Sequence, residues 1–137
     1  MLWRKCVTLD RPIMILEHDA IFTKRFDLSI LEWWPGEGAV SINDPRGATF
    51  NADFYDSKLR NGINEVPLVT GNDVPQGLPG HSAYVIYPHA AREVMKLQDE
   101  IGWWPNDAIM CRQLCPWIRC YKPYLTRCQG IKSTTSK

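Results

Sequence analysis

Apolar side chains recur along the chain in two rhythms, and the switches between them predict the elements. Leu2, Cys6 and Leu9 fall at helical spacing, so residues 1–9 read as the last turns of a helix. "DRP" ends it, because a residue before proline is pushed out of the helical region. "PIMIL", Pro12 to Leu16, is short and continuously apolar, a strand of the kind covered on both faces. "AIFTKRF" reads as a helical turn. "LSILEWW" and "GAVSI" are predicted strands separated by the turn "PGEG". "SAYVIY" is a further strand. Pro88 then opens "HAAREVMKLQDEIG", in which Ala90, Val94, Leu97 and Ile101 form one apolar face and Gly102 is the stop. Asn106 or Asp107 caps a shorter helix, "AIMCRQLC", and "IRCYKPYL" is a late strand. Strands alternating with helices predict α/β architecture.

Residues 43–80 break both rhythms. They are rich in Gly, Pro, Asn and Asp, and a loop of that length inside a domain is functional or mobile. Residues 1–128 are expected to form one domain and residues 129–137, "QGIKSTTSK", a flexible tail. A helix that starts at Met1 with no cap before it suggests a missing upstream segment.

Composition narrows the class. The chain has 137 residues, 45% of them hydrophobic and 23% charged, which suits one globular core. A net charge of +1 excludes a broad electrostatic footprint for nucleic acid, though not a local basic groove. No apolar run reaches the roughly 18–20 residues of a membrane span, and no signal-peptide pattern is present. A cytoplasmic location is therefore expected. Five cysteines without a secretory signal favour reduced thiols. Cys111, Cys115, Cys120 and Cys128 lack the tight C-x2-C pairs common in zinc sites, so buried thiols are expected ahead of zinc. Trp33-Trp34 and Trp103-Trp104 each precede a proline. Core and loop packing is the expectation, ahead of a sugar-stacking platform.

The chemistry concentrates in Glu17-His18-Asp19, just past the buried strand "PIMIL". Ligands of open α/β sheets gather at the carboxyl ends of strands. Two carboxylates on alternating residues there can share a divalent cation, and hard oxygen ligands suit Mg2+ or Mn2+. Equally, Glu17 and Asp19 can cap the following turn while His18 packs or faces water.

"ILEHDAIF" resembles the "LEDDv.f" segment of glycosyltransferase family 25, which includes lipooligosaccharide and procollagen galactosyltransferases. "GHSAYVIYPHAAREVM" is similar to that family's "G..aYliS..gA..ll", "WWPNDAIM" to its "p.D..l", and "LWRKCVTLDRP" to its "lw..i......p". The segments keep the family order and span residue 1 to about residue 124. The resemblance implies a GT-A-like (Rossmann-related) mixed sheet flanked by helices. It also implies inverting transfer of a hexose from a UDP-sugar, assisted by Mn2+ or Mg2+, to a glycan, protein or modified-base acceptor; lipopolysaccharide biosynthesis is one setting. Glu17 and Asp19 would take the metal and diphosphate positions, with Gly80 and Tyr84 shaping the wall. Asp107, in the acceptor region, is the candidate base for the acceptor proton, or simply an N-cap. The chain departs from the family in two places. His18 replaces the middle acidic residue, where an imidazole could donate to a phosphate. The family's opening strand and arginine loop, "vINL..R..R", and the later "G..lSH" have no counterpart. The alternative is thus a truncated or split, non-catalytic module acting through a partner chain that supplies the N-terminal half.

Other polar residues carry weaker signals. His81 and His89 flank "SAYVIY" and read as surface or capping groups; His81, preceded by Gly80 at a loop-to-strand entry, is the better site candidate. Asp53, Asp56 and Asp73 read as solvated loop residues. Arg119, Lys122, Arg127 and Lys132 read as a solvated basic face ahead of a phosphate patch, with "QGIKSTTS" a conceivable lid.

Overall fold

A computed structural model describes residues 2–27, 29, 38–47, 51–68 and 74–130. The elements run α1 (Leu2–Leu9), β1 (Ile13–Leu16), β2 (Ala20–Phe22), β3 (Ala39–Ser41), a 3-10 turn (Pro45–Gly47) and α2 (Ala52–Ser57). They continue with β4 (Gly62–Glu65), β5 (Ala83–Ile86), α3 (Pro88–Ile101), α4 (Asn106–Ile109), β6 (Ile118–Lys122) and β7 (Thr126–Cys128). Five strands form one mixed sheet in the order β1-β5-β3-β6-β4; β3 and β6 are parallel and the other neighbours antiparallel. β2 and β7 form a separate antiparallel ribbon. The α/β expectation holds as a mixed sheet with helices packed on it.

Strand alternation divides the core. Ile15, Tyr84, Ile86, Ala39 and Ile118 point to one face, where they meet Trp3 and Cys6 of α1 and Ala90, Ala91 and Val94 of α3. The two alanines leave room for α1 to lie close against α3. Val40 and Val85 point to the other face with Met14 and Tyr121, and Leu125 with Ala20 covers Ile42 and Ala83 there. Pro88 starts α3 with its φ already helical, and Gly102 ends it at φ +94, its N–H donating to the Gln98 carbonyl.

Several expected elements differ. "AIFTKRF" begins with β2, because β7, more than a hundred residues later, supplies the strand partner that local sequence cannot show. The 43–80 stretch is not one loop: it holds the 3-10 turn, α2 and β4. The short helix stops at Ile109, and its N-cap position is Pro105 with no side-chain cap, so neither Asn106 nor Asp107 caps it. The apolar face of α3 also shifts. Ala90, Val94 and Gln98 are buried, whereas Ile101 is exposed, so a polar residue completes the inward stripe. "LSILEWW" apart from Ser29, Trp33-Trp34, Asp73, Lys132 and all of "QGIKSTTS" after Gly130, with the lid idea, lie outside the described residues. Among the described residues no helix is long and apolar enough to cross a membrane.

The thiols are free, with Cys6, Cys111, Cys115 and Cys120 buried and Cys128 partly exposed. Cys6 donates toward the Arg11 and Ile86 carbonyls, Cys115 toward that of Ile109 and Cys120 toward those of Asn64 and Glu65, while Cys128 lies by Ser82, so Cys115, Cys120 and Cys128 serve different neighbourhoods. Burial pushes the Cys115 thiol up to about 12 and the Cys120 thiol up to about 11. Native protein treated with a thiol reagent at neutral pH should therefore give one fast equivalent, at Cys128, and four slow ones. Five fast equivalents would contradict this burial pattern.

Candidate functional site

The antiparallel pairing of β1 with β5 brings the two most informative motifs together. Leu16 faces Ala83, so the residue after β1 lies beside the residue before β5. There the Glu17 N–H donates to the Ser82 carbonyl at 2.8 Å, and the Ser82 hydroxyl donates to Glu17 Oε2 at 2.9 Å. The contact chain extends inward: Cys128 Sγ donates to the Ser82 hydroxyl at 3.5 Å, and Asn43 Nδ2 donates to Cys128 Sγ at 3.7 Å. Glu17 is thus oriented by its neighbour across the sheet rather than used to cap the next turn. That turn is closed by backbone, the Ala20 N–H donating to the Glu17 carbonyl at 3.1 Å. His18 is exposed. Asp19 Oδ1 is buried and has no hydrogen-bond partner among the described residues, and neither carboxylate joins an ion pair there. The backbone of Asp19 is held by the Gln129 N–H at 2.9 Å.

Glu17 stands on the rim of a groove of about 380 Å³, whose floor includes Trp3, Ile15 and Tyr84. Its far wall is Trp103 and Trp104, 75% and 51% exposed, so this pair is not core packing as expected. Gly102 turns the chain out of α3 and Pro105 follows the pair, which leaves both indoles in water. The segment is tied back by the Leu78 N–H donating to the Asp107 carbonyl at 2.7 Å and Asn106 Nδ2 donating to the His81 carbonyl at 3.2 Å. Gln98 and Asn106 add amides to the lining.

Tyr84 lines the groove, and its hydroxyl accepts from Trp3 Nε1 at 2.8 Å. Burial raises the Tyr84 phenol above its ordinary range, which keeps it neutral. Gly80 is not among the lining residues; its carbonyl accepts from Asn43 Nδ2 at 2.8 Å in a turn packed on Asp44 and Pro45. His81 is neither a surface group nor a cap. It is 2% exposed, stacks on Tyr84 with ring centroids 4.2 Å apart, and neither ring nitrogen has a partner among the described residues. His89 is exposed, as expected. Asp107 is exposed in the first turn of α4 and outside the groove lining; its carboxylate has no hydrogen bond or ion pair among the described residues.

The loop aspartates and basic residues separate. Asp53 is exposed, but Asp56 pairs with Lys122 at 3.0 Å and accepts from the Tyr124 hydroxyl at 2.5 Å, a structural role. Arg119 is turned onto the Pro116 and Ile118 carbonyls, whereas Lys122 and Arg127 line one pocket with Lys24, Arg46 and the carboxylates of Asp44 and Asp56. Trp3, Ser82, Gln98 and Asn106 were not singled out as site residues. Only Gln98 had a readable signal, a polar residue four after Val94 and eight after Ala90.

Fold and site together define a mixed α/β domain with an acidic strand end opening beside an aromatic groove. No family model, curated protein or solved structure matches the chain.

Proposed function

We propose that this is a sugar-transferring domain of the glycosyltransferase family 25 type. It would use Glu17 and Asp19 to hold Mn2+ or Mg2+ and, through it, the diphosphate of a UDP-sugar. The observation that carries the reading is the acidic pair itself: two carboxylates at the end of β1 without cationic partners among the described residues, one with a buried, unpaired oxygen. Such oxygens fit a hard cation. Among the described residues no three His, Cys, Asp or Glu side chains form a metal group, so water and phosphate oxygens would complete the coordination. The bound ion would neutralise charge on the departing nucleoside diphosphate.

The chain's own residues supply positioning. Ser82 holds the Glu17 carboxylate by its hydroxyl, and Tyr84 and Trp3 form a dry wall beside it. A hexose would pass to an acceptor hydroxyl with inversion, and the exposed, unpaired Asp107 carboxylate is the base that the motif resemblance offers. Calorimetry with UDP and Mn2+ tests the metal site. Glu17→Gln and Asp19→Asn should each weaken Mn2+-dependent UDP binding by about tenfold or more. Wild-type affinity in both variants would remove the carboxylates from the site.

A second reading, a chain that works only with a partner, is favoured by the position of β1. It is one of the two edge strands of the five-stranded sheet, opposite β4, and pairs on one side only among the described strands. That reading predicts no heat at all from UDP and Mn2+ with the isolated chain.

A further inference from the structure

We infer that the groove between Trp3, Tyr84 and the Trp103-Trp104 pair binds a neutral sugar ring, independently of metal or nucleotide. The shape and the polar groups point to the same occupant. At about 380 Å³ the groove is of small-ligand size, with room for one or two pyranose rings. Its walls are aromatic, and the Trp103 and Trp104 faces stand in water although indole surface favours burial. The C–H face of a pyranose covers such a surface.

The lining is not uniformly apolar. Gln98 is 5% exposed, occupies the inward stripe of α3 and lines the groove, yet its side-chain amide makes no hydrogen bond among the described residues. Asn106 Oδ1 is buried and also unpaired there. With the Glu17 carboxylate, these groups present acceptors and an amide donor around an aromatic wall. The Gln98 amide is free to pair with a ligand, and a buried acceptor without a partner, as Asn106 Oδ1 is, is costly, a cost that a ligand hydroxyl would remove. A purely apolar ligand would leave the Gln98 amide and Asn106 Oδ1 unmet. An anion would meet the Glu17 carboxylate with no lysine or arginine in the lining. Vicinal hydroxyls edging an apolar ring satisfy both surfaces at once.

The inference gives the transfer reading a place for an acceptor and rests on that reading only for this meaning; the binding stands without transfer. The test uses the full chain without metal or nucleotide, titrated with methyl glycosides of glucose, galactose and mannose. Saturation-transfer NMR and tryptophan fluorescence are read, with sorbitol and cyclohexanol as controls. Expected is saturable binding of at least one glycoside, with transfer strongest to ring C–H protons and none to sorbitol. Trp103→Ala, at a largely exposed position, should abolish it. Gln98→Leu, which keeps an inward-facing apolar stripe, should weaken it about tenfold while the thermal midpoint holds or rises. Binding of cyclohexanol but of no glycoside would overturn the inference, as would unaltered glycoside affinity in Gln98→Leu. Concentration-dependent self-association that Trp103→Ala removes would give the groove to a second copy and overturn it too. UDP–Mn2+ binding without glycoside binding would sink this inference and spare the transfer reading; the reverse result would sink only the transfer reading.

Discussion

Between pH 7 and about pH 4.5 the folded chain should lose about 2.5 kcal/mol of stability through one side chain, His81. The imidazole is buried, stacked on Tyr84, and has no hydrogen-bond partner for either nitrogen among the described residues. Burial without a compensating charge pushes its pKa from 6.5 down to about 3. The sign follows. As pH falls through 6.5 the unfolded chain takes up a proton at this site, while the folded chain stays neutral until about pH 3. Stability is therefore complete above the unfolded value and drains as pH falls toward the folded one. Asp44 and Asp56, both held below the usual carboxylate range, act in the same direction but only near and below about pH 4. The window above that isolates His81. Urea unfolding at pH 7 and at pH 4.5 should show the loss in the parent chain and little of it in His81→Phe, which keeps a ring against Tyr84 but cannot titrate. An equal loss in both proteins would assign the acid sensitivity elsewhere.

The second large effect is expected at Gly80. Its φ is +65, where an L side chain is strained, and an added Cβ would meet Pro45 Cα at 3.0 Å, the Asp44 carbonyl at 3.3 Å and Asn43 Nδ2 at 3.4 Å. The same turn is clamped by Asn43, whose Nδ2 donates to the Gly80 carbonyl at 2.8 Å while its Oδ1 accepts from the Thr126 hydroxyl at 2.8 Å. Gly80→Ala has to strain the backbone and push against the Pro45 Cα and the Asp44 carbonyl, beside the amide that clamps the turn. A cost of about 2–4 kcal/mol is expected, read as a lower urea midpoint at unchanged slope. Gly130→Ala is the control, since Gly130 has φ +74 but nothing within 4 Å of the added carbon. Similar losses at the two positions would show that conformational strain, not packing against 43–45, accounts for Gly80. Because Ser82 follows two residues later and holds Glu17, a loosened turn should also weaken Mn2+-dependent UDP binding in Gly80→Ala.

Which features were legible in sequence follows from the range of the forces involved. α3 was legible because proline at its start, glycine at its end and a 3.6-residue apolar period are all local. β1, β3 and β5 were legible as short apolar runs between breakers. β2, β4 and β7 were not. β4 and β7 carry polar positions and β2 is only the three residues "AIF" ahead of a polar run, so only a distant partner makes each a strand. At the site, Glu17 and Tyr84 were visible in their motifs, but the motifs do not state that they share a groove.

By itself, then, the sequence determined the mixed helix and strand content, the acidic strand end and the turn glycines, since these depend on backbone preference and nearest neighbours. Only the tertiary structure decided that Ser82 orients Glu17, that His81 sits dry behind Tyr84, and that Gln98 and Trp103 face one cavity. The first contact joins residues 65 positions apart, and the other two, though short in sequence, take their burial and their shared cavity from distant residues such as Trp3 and Ile15. Their pairing is set by antiparallel register and by the packing of α1 on α3, which no local window of the chain contains.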